Sequence, residues 1–414
     1  MVVMNSLSEQ LKALGVQLGA EHIPSPSPKS PPLDLADHLP GTWEDSRFGR
    51  VFVVTKTYPS TYHQGNFSLG PTHPLHPIGL WADMDSLDAV PLDDFLFLDT
   101  ETTGLSGGAG TYTFLTGIGR FQGPEFVVQQ FFMQDPAEEA AQLAALETAL
   151  ASARVIVSYN GKSFDLPRLK TRFRAHGWPP PLEEVHHLDL LHLVRRLFGS
   201  MLNNCTLGTI EYQLLEFERS EEDIPGWQVA ESFFEYLNTG DPAPLTHVFY
   251  HNAMDVVSMA AILNLISAKL ASAEEHQASC PGELVSLGKF FLHLGKKNTA
   301  QEILRAALQR EDLSKTHRLE GIKELSFLFK RQEEWDRAVQ LWEAAAEEQE
   351  FYAFLELAKV HEHHYGSFSE ALHWTLSAIE LHQSNQTSGW VQGAALDELQ
   401  HRLSRLKDKA RRAQ

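Results

Sequence analysis

Four carboxylic acids, Asp99, Glu101, Asp165 and Asp255, are spread over about 160 residues in three local contexts, and together they are suited to holding divalent cations. The first pair follows Phe95-Leu96-Phe97-Leu98, an apolar run of the kind that forms a buried strand, and precedes a turn containing Gly104. Alternate residues of a strand share a face, so Asp99 and Glu101 point the same way. Two like charges at that spacing repel strongly unless one is protonated or a cation lies between them. A divalent metal is the economical explanation, and hard cations such as Mg2+ and Mn2+ take oxygen ligands of this type.

Asp165 closes the run Asn160-Gly161-Lys162-Ser163-Phe164-Asp165, which follows the apolar stretch Val155-Ile156-Val157; a strand leads here through a loop into a helix. Asp255 closes Tyr250-His251-Asn252-Ala253-Met254-Asp255 and leads into the apolar-rich residues 260–270, which read as a helix. Four residues apart on a helix, His251 and Asp255 lie about 40° from each other, on one face.

Asp-x-Glu, then Asn-x-x-x-Phe-Asp, then His-x-x-x-Asp, in that order, resembles the three exonuclease motifs of the DEDD 3′-to-5′ exonucleases, whose fold is ribonuclease H-like. The middle motif resembles that of the proofreading domains of family B polymerases. The run Thr-Thr-Gly-Leu-Ser-Gly-Gly-Ala-Gly-Thr-Tyr after Glu101, with helical repeats downstream, is similar to the YprB-like ribonuclease H-like proteins. The resemblance covers roughly residues 48–270. It implies a two-metal phosphodiester hydrolase in which Asp99, Glu101, Asp165 and Asp255 hold two Mg2+ or Mn2+ ions. Two ions about 3.5–4 Å apart clamp the attacking and leaving oxygens of an in-line displacement. It further implies that Thr102, Asn160, Phe164 and Arg168 border the bound strand, with Phe164 against a base or sugar.

One departure from the family pattern concerns the base. In the tyrosine subclass a Tyr stands four residues before the last Asp, and in the histidine subclass a His stands five before it; this chain has His251 and Tyr250 in the exchanged order. If one helix includes both, Tyr250 is rotated about 140° from Asp255 and His251 faces the metals; if the helix begins at Asn252, Tyr250 turns inward. His251 is preferred as general base or water-positioning group, since an imidazole titrates near neutral pH and an unperturbed phenol does not.

Each part also has a purely structural reading. Asp165 alone reads as a helix N-cap, Asn160 as a turn stabiliser, Phe164 as core, and Asp189 as a cap or ion-pair partner. Gly161-Lys162-Ser163 does not end a phosphate-binding P-loop, because Ile156 stands where that motif needs glycine. Gly104, Gly107, Gly108 and Gly110 precede an apparent strand and no helix, which excludes a dinucleotide fingerprint and suits a close ligand approach or a hairpin connection. His186, His187 and His192 lack an accompanying zinc ligand set.

With 414 residues, 43% of them hydrophobic, the chain can bury a full core and exceeds one ordinary domain. No stretch approaches about eighteen uninterrupted apolar residues, and residues 1–20 lack a basic start followed by an apolar block, so neither export nor membrane insertion is expected. Cys205 and Cys280 give no disulfide framework and suit a reducing cytoplasm. The net charge of −20 opposes long-range attraction to nucleic acid. Lys162, Arg168, Lys170, Arg172 and Arg174 around Asp165 soften that objection, so weak, metal-dependent engagement of a strand end is expected.

The expected fold class is α/β, a ribonuclease H-like mixed sheet flanked by helices, followed by an all-α tetratricopeptide-like repeat domain. A partly disordered Pro-rich segment takes up residues 1–45, a small β-containing lead-in 46–92, the exonuclease domain 93–275 and the helical repeats with a basic tail 280–412. Within the lead-in, residues 48–57 alternate and suit an added antiparallel strand or a small β-unit. Ala300, Ala338 and Ala371 recur at intervals of 38 and 33 residues, close to the ~34-residue tetratricopeptide period. Stacked helix pairs of that kind suit an unidentified protein partner, a plain buttress being the alternative. Arg402, Arg405, Lys407, Lys409, Arg411 and Arg412 crowd the end of the last helix, where they complement its dipole or contact phosphate.

The expected activity is that of a cytoplasmic 3′-to-5′ exonuclease on the 3′ end of single-stranded DNA or RNA. A non-cutting nucleic-acid scaffold and a structure-specific endonuclease are the rivals. The motifs do not specify the 2′-hydroxyl contacts that separate RNA from DNA.

Overall fold

The computed structural model describes residues 33–104, 110–182, 185–274, 280–384 and 390–413. The Pro-rich run 24–32, Gly107 and Gly108 lie outside the described residues.

A hairpin of β1 (Gly41–Ser46) and β2 (Gly49–Tyr58) opens the fold, followed by the two-residue strands β3 (His63–Gln64) and β4 (Phe67–Ser68) and the short helix α1 (His76–Trp81). The meander β5 (Phe95–Thr102), β6 (Thr113–Gln122) and β7 (Glu125–Phe132) then leads through α2 (Glu139–Leu150) to β8 (Val155–Ser158). Next come α3 (Asp165–Ala175), β9 (His186–Asp189) and α4 (Leu190–Phe198). Seven strands form one sheet in the order β1-β2-β7-β6-β5-β8-β9. β5, β8 and β9 run parallel, joined by crossovers that contain helices, and the remaining pairs are antiparallel. Of the two expectations for residues 48–57 the added strand is the observed one, because β2 pairs with β7 from Phe52↔Phe132 to Tyr58↔Phe126.

Beyond α4 lie α5 (Leu207–Ile210), which runs directly into a π-helical turn (Glu211–Leu215), α6 (Gly226–Thr239) and the 30-residue α7 (Leu245–Glu274). Residues 245–273 are long and apolar enough to cross a membrane, yet 78% of the most apolar window is buried inside the protein, which marks α7 as the central core helix. Strand β5 separates two cores. Leu96 and Leu98 pack with Leu143 and Leu146 of α2 and with Leu166, Leu169 and Phe173 of α3. Phe95 and Phe97 pack with Val256, Val257 and Ala260 of α7.

Seven further helices follow: α8 (Pro281–His293), α9 (Lys297–Gln309), α10 (Lys315–Arg331), α11 (Trp335–Glu347), α12 (Phe351–His363), α13 (Phe368–Ser384) and α14 (Trp390–Ala413). Consecutive helices pack on one another, and α8 also packs on α4 and α7. Ala300, Ala338 and Ala371 are all buried, and a Cβ at Gly288 would stand 2.6 Å from Leu304, so these small residues let neighbouring helices approach closely. The apolar core is continuous from Phe97 through Ile266 to Leu357 and Leu399.

The basic tail is partly explained by one acid. The buried Glu362 accepts from Arg402 (2.8 Å), Arg405 (2.9 Å) and Lys409 (2.9 Å). Burial alone would raise its pKa, but these cations prevail and hold the carboxyl at about 2.

Candidate active site

The alternation of β5 decides what meets at its end. Asp99 and Glu101 continue the face of Phe95 and Phe97, toward α7, while Thr100 continues the face of Leu96 and Leu98, toward α3. From α7, Asn252 Nδ2 donates to Asp99 Oδ2 at 2.8 Å. From β5, Thr100 Oγ1 donates to Asp165 Oδ1 at 2.5 Å. Four acids from three elements thus converge at the edge shared by the two cores.

Asp165 is the first residue of α3, behind Phe164 at the cap position, so its carboxylate is turned to Thr100 instead of capping the helix. Asp189 takes the capping role at α4, accepting from the Leu191 N–H, and it also accepts from the backbone N–H groups of Asn160 (2.8 Å) and Lys162 (3.1 Å). That anchoring shapes the loop, in which Asn160 adopts the left-handed φ of 68° tolerated by asparagine. A Cβ on Gly161 would stand 2.4 Å from Ser158 Oγ and 3.0 Å from Asp165 Oδ2, so the close approach of this turn needs glycine.

The four acids influence one another. Burial first, then the charges of Asp255, Glu101 and Asp165, push the Asp99 carboxyl well above the usual range despite the bond from Asn252. Burial pushes Glu101 to about 8, with Asp255 and Asp165 adding to the shift and His251 and Arg219 opposing it. Glu101 Oε1 is buried and makes no hydrogen bond. Asp165 is raised to about 6, by burial above all, against the lowering bond from Thr100.

Asp255 is engaged by a residue the sequence did not single out. Arg219, in the irregular segment before α6, donates to both carboxylate oxygens of Glu211 (2.8 and 2.7 Å) and to Asp223 (3.3 Å), and it also donates to Asp255 Oδ1. His251 lies on the same face of α7 as Asp255, with Nε2 3.8 Å from Asp255 Oδ2 and Nδ1 2.8 Å from Asp223 Oδ1. Burial alone would lower the pKa of His251, but Asp223, Asp255 and Glu101 outweigh it and raise it to about 9. α7 includes both residues, and the Tyr250 hydroxyl is directed to the Ser220 N–H (3.1 Å), which it accepts.

The four expected strand contacts have different surroundings. Thr102 Oγ1 donates to the Gly104 carbonyl at 3.0 Å, and Asn160 serves its turn. Phe164 is 40% exposed rather than core, and the Arg168 guanidinium lies 5.0 Å from its ring centroid, immediately before Asp165. Arg172 does not belong to an open basic patch. It is buried, with Nε and Nη2 each 2.5 Å from a carboxylate oxygen of Glu139 and its guanidinium over Tyr112. A cavity of about 530 Å3 opens beside Asp255, the one acid of the four that lines it, and is bounded also by His251, Arg219, Tyr212 and Phe217.

Sequence reasoning missed Thr100, Asn252, Glu211, Arg219 and Asp223. Strand alternation was the available signal for Thr100, and adjacency to His251 for Asn252; nothing local signalled the other three.

The donor set fits hard divalent cations. All four acids offer oxygen, Glu101 Oε1 is orphaned in a buried position, and the carboxyl pKa values of Asp99 and Glu101 are raised by burial first and by neighbouring carboxylates second, a cost that cations would relieve. Among the described residues, no three His, Cys, Asp or Glu side chains as placed enclose a single ion. Partners already engage Asp99, Asp165 and Asp255.

Comparison with known proteins gives the chain a family. A family profile described as RNase_H superfamily matches residues 96–267, which contain all four acids. A Bacillus subtilis (strain 168) protein titled uncharacterized protein YprB is 32% identical over 368 residues, 85% of this chain and 84% of that protein. The solved family B DNA polymerase of Pyrobaculum calidifontis matches at 18% identity and a TM-score of 0.33, over 52% of this chain. This chain spans 29% of that polymerase.

Proposed function

Because the chain belongs to the family of YprB, within the ribonuclease H superfamily, we propose that it is a metal-dependent phosphodiester hydrolase shortening single-stranded DNA or RNA from the 3′ end. The observation that carries this reading is the convergence of Asp99, Glu101, Asp165 and Asp255, where burial first and neighbouring carboxylates second raise the Asp99 carboxyl and one Glu101 oxygen is left without a partner. Asp99, Glu101, Asp165 and Asp255 would hold two Mg2+ or Mn2+ ions. Ions there would supply an activated water and neutralise charge developing on the leaving oxygen.

The protein's own groups do the rest. Asn252 and Thr100 aim Asp99 and Asp165 from opposite faces of β5. His251, fixed at Nδ1 by Asp223 and on the same face of α7 as Asp255, suits the role of general base or water-positioning group. Phe164 and Arg168 offer an exposed ring and cation to a single strand, of the kind on which bases stack. The buried small residues at the crossings of α8 to α13 support a tetratricopeptide-like reading of that region, with a protein as its partner.

The test is hydrolysis of 5′-labelled single-stranded DNA and RNA with Mg2+, Mn2+ or chelator, comparing wild type with Asp99→Ala and Asp255→Ala. A metal-dependent ladder shortening from the 3′ end, abolished in both variants, is expected. Circular single strands should survive; their cleavage would make the enzyme an endonuclease. Intact substrates under every condition would favour a scaffold.

A further inference from the structure

Two exposed phenylalanines each carry a guanidinium beside the ring, and they stand at opposite ends of α3. Phe164 with Arg168 is the pair beside Asp165. The other is Arg47-Phe48, the two-residue turn that joins β1 to β2. Arg47 Cζ lies 5.0 Å from the Phe48 ring centroid and 4.8 Å from that of Trp178, and the Phe48 and Trp178 rings are stacked at 4.9 Å with planes 21° apart. Trp178 follows the end of α3, where Gly177, at a φ of 73°, turns the chain back and the Trp178 N–H donates to the Phe173 carbonyl. The 11 residues of α3 therefore hold the two pairs about 16 Å apart along the helix.

Neither turn chemistry nor packing accounts for the second pair. A two-residue hairpin turn favours Asn, Asp or Gly and asks for no ring. Phe48 stays 51% exposed, and Arg47 pairs with Glu147 of α2 at 2.9 Å between side chains that are 54% and 35% exposed, a contact that adds little to stability. Trp178 covers one face of the Phe48 ring and leaves the other outward, with a cation at its edge. An unpaired base stacks on such a surface while its phosphate meets the charge. The segment between the two pairs has the matching sign. From Lys162 to Trp178 the sole acid is Asp165, against Lys162, Arg168, Lys170, Arg172 and Arg174, of which Arg172 is turned to Glu139, in a chain whose net charge is −20.

We propose that Arg47, Phe48 and Trp178 form an outlying subsite for single-stranded nucleic acid, which holds a base of the strand several nucleotides away from the end that lies at the acids. The proposal rests on the nucleic-acid reading above and adds a length requirement to it: a strand too short to run along α3 gains nothing from the subsite. DNA and RNA share the chemistry that is recognised, since every base presents a π-face. A clasp that merely pins the hairpin to α3 would make no distinction by strand length.

The test is fluorescence anisotropy of the full chain with 5′-labelled phosphorothioate single strands, which resist cutting, in Mg2+, using DNA and RNA of about 4 and about 16 nucleotides. Wild type is expected to hold the longer strand of at least one of the two nucleic acids more tightly than the shorter. Phe48→Ala should weaken binding of that longer strand by about tenfold, the scale for one stacked base, and leave the shorter strand unaffected. Phe48→Trp keeps a stacking face and should bind like wild type. A longer strand bound no more tightly than the shorter one, an unchanged longer-strand affinity in Phe48→Ala, or equal losses on both lengths overturns the proposal and leaves the nucleic-acid reading standing. Failure of wild type to bind any of the strands overturns both.

Discussion

Glu101 carries an electrostatic burden that should be measurable without substrate. Its folded pKa of about 8 lies above the unfolded value near 4.5, so between these pH values the folded state holds a proton that the unfolded state has lost. Stability from this group is full below pH 4.5 and is lost as the pH rises through about 8. His251, raised from 6.5 to about 9, acts in the same sense over the higher window. In chelator, the melting temperature should therefore fall from pH 5 to pH 8, and Glu101→Gln should flatten the fall; a flat wild-type profile would refute this. Two arginines of α3 separate in the same way by environment. Arg172→Ala leaves Glu139 buried and short of its partner and should cost about 3–5 kcal/mol by urea unfolding. Arg168→Ala removes the guanidinium beside the exposed Phe164 ring and is expected to raise KM for a single strand.

At the scale of elements, the position of α7 on the sheet governs the acids. α7 crosses β6 so closely that a Cβ on Gly117 would stand 2.2 Å from Asn252 Oδ1. Gly117→Ala should displace Asn252 from Asp99 and from Gln130, whose Nε2 donates to Asn252 Oδ1 at 2.9 Å. A loss of about 1–3 kcal/mol is expected from such overpacking, read by denaturant midpoint, with loss of hydrolysis exceeding the loss of folded protein. Unchanged hydrolysis would show that Asn252 does not set Asp99. Much of this arrangement was legible in the sequence because it rests on local signals. The apolar run before Asp99, the strand-to-helix passage at Asp165 and the helical spacing of His251 and Asp255 each follow from periodicity. Arg219 was not legible, because its partners Glu211, Asp223 and Asp255 come from a π-helical turn, a loop and a long helix that meet only in three dimensions. Arg172 was misplaced for a related reason: basic spacing on α3 does not reveal that Glu139 of α2 lies beneath it.

At the scale of the whole molecule, the sheet and the C-terminal helices share one core, since α8 packs on α4 and α7 and apolar contact is unbroken from Phe97 to Leu399. A chain ending at residue 274 would leave the surface beneath α8 uncovered and should bind a hydrophobic dye and self-associate on size exclusion; a monodisperse, dye-silent product would contradict that. The placement of the acids on both faces of β5 also has a consequence in time. Asp255 is synthesised about 160 residues after Asp99, and at about 5–20 residues per second that gap lasts roughly ten to thirty seconds. Throughout that interval the growing chain holds its first acids without the last one, and α7 must emerge and dock before the quartet exists. A protein of this design is born with its acid quartet still in two pieces.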